Sequence, residues 1–454
     1  MLTPNYFLAD LPPEAAATPT MLGEACLTLK RNREQFLAGR STASMIELLE
    51  RVAYHWLSPD FHLRKRALEE GPAKTGFSSR TIEHGLDTFF AGVTSKSLRA
   101  LLEQDLGSID RLDKLTAIGP EDAQNRISVA VAPSLLVHIA AGTLPNPTWM
   151  SMLLGVLLRS AQFVKCATGG SFFPLLFAHS LYEEDRKLGA CLELAEWRGG
   201  NHVLERVLFE HADCLTATGS DESLARIRLR VPPRVRFVGY GHRVSFGYVS
   251  NQLQAAAQWS EAVAGAAADI AAWDQLGCLS PHVVYVQTGG LMAPDQFAAA
   301  LAEQMEKVEQ SQPRGQLPMQ DAATIASRRS IYALRAANSE ETRLWASRDS
   351  TAWTVVYEND PKFQGSCLNR FVYVKSVSNL TQALHGADNV RGKVSAAGLA
   401  APEPAFREMA LELARWGVTR VCELGAMQNP PLTWRHDGRQ ALEELVTWTD
   451  CEIS

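Results

Sequence analysis

The run that opens with Ile127-Ser-Val-Ala-Val131 and Leu135-Leu-Val-His-Ile139 and closes with Val235-Arg-Phe-Val238 shows how this chain folds. The two opening segments read as strands, and Thr148 to Leu158 is an almost wholly apolar helix. Strand and helix then alternate. Phe163-Val-Lys165, Ala190 to Leu194, Cys214 to Thr218 and Val235 to Val238 are strand-like, separated by helices at Phe172 to Tyr182, Val203 to Phe209 and Glu222 to Leu229. Short apolar strands spaced by helices predict a parallel sheet covered on both faces, with ligands beyond the carboxyl ends of the strands.

Outward from this run, the first hundred or so residues read as helices at Leu48 to Trp56, Thr81 to Phe90 and Leu98 to Leu106. Pro59, Gly71-Pro72 and Gly119-Pro120 punctuate them. This part is expected to be a helical cover without chemistry. Beyond the apolar stretch Ala262 to Ala272 a second α/β region is expected. Its strands are His282 to Gln287, Trp353 to Tyr357 and Arg370 to Val374, its helices Gln296 to Val308 and Phe406 to Leu413, and a polar stretch runs through Gln312 to Pro318.

The composition is that of a soluble globular protein of 454 residues, 46% hydrophobic and 21% charged. With 44 basic against 50 acidic residues, it gives no electrostatic reason to expect nucleic acid or an anionic membrane as partner. The start lacks the pattern of a secretory signal, and no apolar run is long enough to span a membrane. A cytoplasmic location follows as the expectation, with eight reduced cysteines. Their spacing offers no close pair, so no metal site is expected.

Two of the strand ends carry polar turns, Cys166-Ala-Thr-Gly-Gly-Ser171 and Gly219-Ser-Asp-Glu-Ser223. A Gly-Ser turn opening a helix can hold a phosphate on free amides, or Ser220 can simply cap the helix. No Gly-x-Gly-x-x-Gly follows any strand, which disfavours an ordinary Rossmann dehydrogenase. His138 ends an apolar strand just before Ala-Ala-Gly-Thr-Leu-Pro145, and reads either as a core histidine or as a site residue. His242 and Arg243 after Gly241 could meet phosphate or solvent, and His282 enters the next strand.

The strongest chemical signal is Cys278 in Trp273-Asp-Gln-Leu-Gly-Cys-Leu-Ser-Pro-His282, a thiol on a tight helix-to-strand connection at the seam of the two regions. A cysteine is more often a small buried hydrophobe than a nucleophile. Once deprotonated, though, a thiol so placed can attack an ester, thioester or aldehyde, its own N–H facing the developing oxyanion.

Four segments together carry a resemblance. His138 to Pro145, Val235 to Phe246, the cysteine run 273–282 and Gly425 to Leu442 resemble, in order, the acyl-CoA reductases typified by the fatty-acid reductase component of bacterial bioluminescence, a branch of the aldehyde dehydrogenase superfamily. The resemblance covers about residue 127 to the end. It implies an aldehyde dehydrogenase-like α/β fold, with a Rossmann-type cofactor domain, an α/β catalytic domain and an extended oligomerisation element. The expected division is a helical cover at 1–120, a dinucleotide-binding domain at 121–270, a catalytic domain at 271–424, and a segment at 425–454 that returns to the cofactor domain or an oligomer interface.

By the same resemblance Cys278 is the acyl-accepting nucleophile, with His138 and Thr143 as further catalytic candidates. Lys165, Thr168, Gly219, Ser220 and Gly241 would lie along NADPH. The implied substrate is an acyl-CoA or acyl-carrier thioester, with an acyl-transferring protein as a possible partner and a homodimer or homotetramer as the assembly. Two departures matter. Gly239 stands at or near the place of the superfamily's water-activating glutamate, which favours thiol exchange over hydrolysis, and Thr143 replaces the asparagine expected in the oxyanion turn. The implied reaction is reduction of the thioester to an aldehyde. An acylating aldehyde dehydrogenase working oxidatively, a cysteine acyltransferase or thioesterase, and a non-catalytic binding protein are the alternatives.

Overall fold

The computed structural model describes residues 5–12, 17–142 and 144–452. Fourteen strands are present among them: β1 (Arg126–Val131), β2 (Leu135–Ile139), β3 (Ala161–Cys166), β4 (Leu192–Glu196), β5 (Cys214–Thr218), β6 (Arg236–Tyr240), β7 (Val244–Val249), β8 (Pro281–Gln287), β9 (Thr342–Ala346), β10 (Thr354–Glu358), β11 (Phe371–Val377), β12 (Val394–Ala400), β13 (Val421–Glu423) and β14 (Thr447–Glu452). β2 to β6 form a parallel five-stranded sheet in the order β4-β3-β2-β5-β6. Every residue of β2 and β3 is buried, as apolar strands covered on both faces require. The chain winds outward from β2 to β4, then crosses back to β5. The loops after β2 and β5 therefore diverge at the switch point, where such sheets open a ligand crevice.

The second sheet has seven strands in the order β13-β12-β7-β8-β11-β10-β9, all parallel except β9, which runs antiparallel to β10. The change of sheet falls between Tyr240 and Val244, not near residue 270, because β7 pairs with β8 and β12. Only three residues separate β6 from β7, and no break in apolar pattern marks the crossing. β1, read from sequence as the opening strand of the parallel run, instead pairs antiparallel with β14, Arg126 opposite Glu452 and Val131 opposite Thr447. Its mixed burial suits a ribbon and not a sheet centre.

The amino-terminal cover is helical: Pro19–Phe36, Thr42–Leu57, His62–Thr75, Ser79–Ala91 and Ser95–Leu106. Thr18, Ser41, Ser78 and Thr94 cap four of these helices by accepting from the backbone N–H of Met21, Ser44, Thr81 and Ser97. Gly71-Pro72, expected as a break, lies inside His62–Thr75. Gly71 is there because a Cβ would sit 2.8 Å from Ile82 Cδ1, and the helix ends only at Gly76 with φ of 84°. One long helix, Met319–Asn338, was not legible: only Ile325 and Tyr332 are buried, so it carries no apolar stripe.

Candidate active site

Cys278 sits between the helix Ala256–Ala271 and β8, on a connection whose first part is wound left-handed. Trp273, Asp274 and Gln275 have φ of 49, 52 and 65°, and facing them Leu368, Asn369 and Arg370 have φ of 60, 58 and 64°. Each such residue costs roughly 1–2 kcal/mol, so strong bonds must hold the pair of turns. Arg370 is fully buried and donates to Asp274 Oδ1 through Nε at 3.0 Å, with Nη2 at 2.8 Å. Asp274 Oδ2 accepts from Gly315 N at 3.1 Å. The Gln275 amide bridges the strands, donating to Pro281 O and Phe371 O and accepting from Phe371 N. Trp273 is clamped from the amino-terminal cover, edge-on to Phe77 at 5.1 Å and flat against Gly85, where a Cβ would lie 2.0 Å from the indole. The cover thus supports the cysteine turn.

The thiol itself is half-buried beside Leu279, Ala396 and Met427. Ser245 Oγ donates to the Cys278 carbonyl at 2.8 Å and accepts from Ala396 N at 3.1 Å, tying the turn to β12. Burial, reinforced by Asp437, pushes the thiol up to about 11; the Ser395 hydroxyl and Arg243 pull the other way. Ser395 Oγ has no other hydrogen-bond partner. A Cβ at Gly277 would lie 3.4 Å from Gln428 Oε1 and 3.7 Å from Leu144 Cδ2, so three separate segments converge at the cysteine.

The loop bearing Gln428 is fixed by Asp269, which accepts from Gly425 N at 2.6 Å and Met427 N at 3.0 Å, and by Arg420, which donates to Met427 O and Ala426 O. Further on, Trp434 packs on the cysteine cluster and His436 stacks on Tyr240 at 4.4 Å. Arg439 donates to Gly239 O at 2.8 Å and lies over the Tyr240 ring. The carboxyl-terminal segment therefore covers Gly239 itself. Asp437, between these anchors, has φ of 54° and pairs with Arg243 at 3.1 Å. Asp437, Ser395, Gln428 and Asp269 did not stand out in the sequence as site residues; the only sign of Asp437 was its place in Trp434-Arg-His-Asp-Gly438.

His138 is a core histidine and not a site residue. Gln162 Nε2 donates to Met152 O, leaving Oε1 to accept from His138 Nε2–H at 3.0 Å, while Thr216 donates to His138 Nδ1 at 2.7 Å. Burial holds this imidazole down at about 4. Thr143 lies outside the described residues. Ser220 caps the helix Asp221–Arg228, and the Gly219 N–H is taken by Tyr240 O, so this turn offers neither group free; Asp221 and Glu222 add negative charge to its first turn. A Cβ at Gly241 would meet Asp221 Oδ1 at 2.3 Å. His242 is exposed, and His282 is buried in β8, accepting from Ser366 N.

Lys165 differs. It is only 4% exposed at the end of β3; its amine makes no hydrogen bond or ion pair among the described residues, lies 5.8 Å from the Trp197 ring and feels the carboxylates of Glu205 and Glu196. Thr168 beside it is exposed, and Glu196 closes the same turn by accepting from Gly169 N and Ser171 Oγ. An amine without a direct hydrogen bond at a strand's carboxyl end could meet the ribose or phosphate of a dinucleotide.

The two sheets, the ribbon and the thiol at their seam define an aldehyde dehydrogenase fold. Solved structures agree. A bifunctional proline utilization A protein matches 98% of this chain at a TM-score of 0.72 and 14% identity, though the chain spans 45% of that protein's length. A single-site mutant of 1-pyrroline-5-carboxylate dehydrogenase from Thermus thermophilus matches 96% of this chain and 86% of its own at 0.69 and 15%. A protein from Burkholderia cenocepacia described as an aldehyde dehydrogenase matches 96% and 90% at 0.69 and 16%. Within that fold, residues 37–448 match the family model for acyl-CoA reductase (LuxC), and the chain belongs to that family. Its relatives include the long-chain acyl-protein thioester reductases of Aliivibrio fischeri, 24% identical over 90% of this chain and 82% of the relative, and of Photorhabdus laumondii, 23% identical over the same shares.

Proposed function

We propose that this chain reduces acyl thioesters to aldehydes with NADPH through an acylated Cys278. The observation that carries the reading is the cysteine turn: a thiol rigidly held at the meeting of both sheets and the carboxyl-terminal segment, in a chain of the acyl-CoA reductase family. Cys278 sulfur attacks the thioester carbon, the donor's C–S bond breaks and a thiol departs. The nicotinamide cofactor, when bound, supplies hydride to the enzyme-held acyl group. The hemithioacetal then collapses, releasing aldehyde and returning the thiol. The Cys278 N–H, with the turn after β2, stabilises the oxyanion in both steps. Packing of the thiol among Leu279, Ala396 and Met427 limits the access of water to the acyl group, and Gly239 offers no carboxylate to activate it.

Lys165 and Thr168 would hold the adenosine end, with Gly219, Ser220 and Gly241 packing along the dinucleotide. The Lys165 amine, which makes no direct hydrogen bond or ion pair among the described residues, supports this placement. The acyl donor is coenzyme A or a carrier protein, served by an acyl-transferring partner. The enzyme works in the cytoplasm as a homodimer or homotetramer. Among the described residues no helix is long and apolar enough to cross a membrane.

The test is a series of acyl-CoA lengths with NADPH and NADH, run on wild type and Cys278→Ala. Wild type should oxidise the cofactor as aldehyde forms, and labelled acyl-CoA without cofactor should leave label on Cys278. Undiminished reduction by Cys278→Ala would overturn the reading.

A further inference from the structure

The Asp437 side chain is 6% exposed, and neither carboxyl oxygen makes a well-aligned hydrogen bond among the described residues. Buried carboxyl groups are ordinarily satisfied, and an exception calls for a reason. Its backbone is left-handed at φ 54°, in a residue that has a Cβ, a strain that accumulates at functional sites. Everything around it is pinned: Trp434 on the cysteine cluster, His436 on Tyr240, Arg439 on Gly239 O. Its ionic contacts are Arg243 at 3.1 Å, which also lies within electrostatic reach of Cys278, and, more distantly, the neighbouring His436 ring at 3.9 Å. The segment thus brings a carboxyl group with unused acceptor capacity to the side of the cysteine pocket: Trp434 on the same segment packs with Cys278, and Arg243, the partner of Asp437, stands just before Ser245, whose hydroxyl bonds the Cys278 carbonyl.

Attack by Cys278 releases a proton that must be taken up, and the pocket holds the thiol protonated at rest. His138, the histidine at the end of β2, is committed to Thr216 and Gln162. We propose that Asp437 is the proton acceptor for Cys278 in thiol exchange, held in place by Arg243. As the Cys278 S–H bond breaks and its sulfur bonds to the acyl carbon, the proton passes to the Asp437 carboxylate. As the donor's C–S bond breaks, the departing thiolate takes the proton back. No electron or proton is gained or lost by the exchange. Arg243 preserves the pocket's charge balance on either side of the transfer.

This role rests on the thioester reading of Cys278, and the experiment separates the two. Wild type, Asp437→Asn and Asp437→Glu are compared in two reactions at Cys278 followed by intact-protein mass: acylation by tetradecanoyl-CoA without cofactor, and alkylation by iodoacetamide at pH 8. Asp437→Asn should acylate about 10²-fold more slowly, the usual worth of a positioned base. It should nevertheless alkylate faster, because removing the negative charge favours the thiolate. Asp437→Glu should recover part of the acylation rate. Acylation of Asp437→Asn at the wild-type rate would overturn the role, and so would a parallel fall of both reactions, which marks mere collapse of the pocket. Wild type that alkylates but never acylates would overturn the thioester reading and this role with it.

Discussion

Replacing Asp274 by alanine should open the left-handed clasp that carries Cys278. Arg370 is wholly buried and gives Asp274 two of its contacts, at 3.0 and 2.8 Å. Removing one partner of a buried ion pair costs about 3–5 kcal/mol. Here the charge is not left bare, because Arg370 retains Glu309 at 3.0 Å and Gln312 O at 2.9 Å, which puts the cost near the lower end. The Gly315 N–H also loses its acceptor, about 1 kcal/mol more. Roughly 4 kcal/mol is then withdrawn from a clasp that holds several left-handed residues at ~1–2 kcal/mol of strain each, so the turns should relax locally. At about 1.4 kcal/mol per decade, that is 10²- to 10³-fold more frequent opening. Hydrogen exchange read by mass spectrometry on peptides spanning 270–282 and 368–374 measures it directly. Acylation of Cys278 should fall in parallel, since the turn no longer holds the sulfur in place. Unchanged protection of both peptides would refute the claim that the clasp depends on this pair.

Three further outcomes follow from the same structure. Burial holds His138 near 4, below its ordinary 6.5, so the unfolded chain binds its proton first and the histidine's stabilising contribution is lost as pH falls through that window. Glu193 and Asp269 are pushed up to about 7, and their contributions run the opposite way. The readable quantity is therefore a difference: the stability gap between wild type and His138→Gln in urea should shrink by about 2 kcal/mol from pH 7 to pH 5, and a constant gap would refute it. Gly85→Ala drives a Cβ to 2.0 Å from the Trp273 ring; overpacking of about 1–3 kcal/mol outweighs the helix-propensity gain of about 1 kcal/mol, so the melting temperature should drop, and a rise would show that Trp273 has room to move. Glu196 places a carboxylate in the turn shared with Lys165 and Thr168; Glu196→Gln should raise the NADPH-to-NADH ratio of kcat/KM about tenfold, and an unchanged ratio would place the ribose phosphate elsewhere.

What could be read from the sequence divides by the range of the interaction. β2 and β5 are legible to the residue, and β3 and β8 nearly so, because a strand buried on both faces must be apolar along its whole length. The place of Cys278 on a helix-to-strand connection is legible because its turn is local and rich in signals. His138 left two readings open, since a histidine at a strand's end looks the same whether its partners are Gln162 and Thr216 or a ligand. Ser220 could cap its helix or bind phosphate; the cap is the shorter-range interaction, and it is the one formed. The partnership of β1 with β14 joins residues more than three hundred positions apart, and nothing in either segment's pattern could announce it.

Gly239 and Asp437 are also far apart in the chain, and there the separation bears on chemistry. Read along the chain, Gly239 is only a missing carboxylate, and its absence argues for thiol exchange. In space that glycine is the floor on which the 434–439 segment lands: a side chain there would run toward Phe237, whose ring lies 2.9 Å from a Cβ at that position, and Arg439 closes on its carbonyl. Removing the side chain from β6 and delivering a carboxyl group from the far end of the sequence are then two halves of one arrangement. If that is so, restoring glutamate at 239 should not convert the protein into a hydrolase. It should crowd Phe237 and Leu224, shift the Gly239 carbonyl on which Arg439 closes and slow acylation of Cys278, with more labelled fatty acid released only if the restored carboxylate reaches water. An enzyme that folds normally, acylates at the wild-type rate and hydrolyses its acyl group after Gly239→Glu would show the two features to be independent.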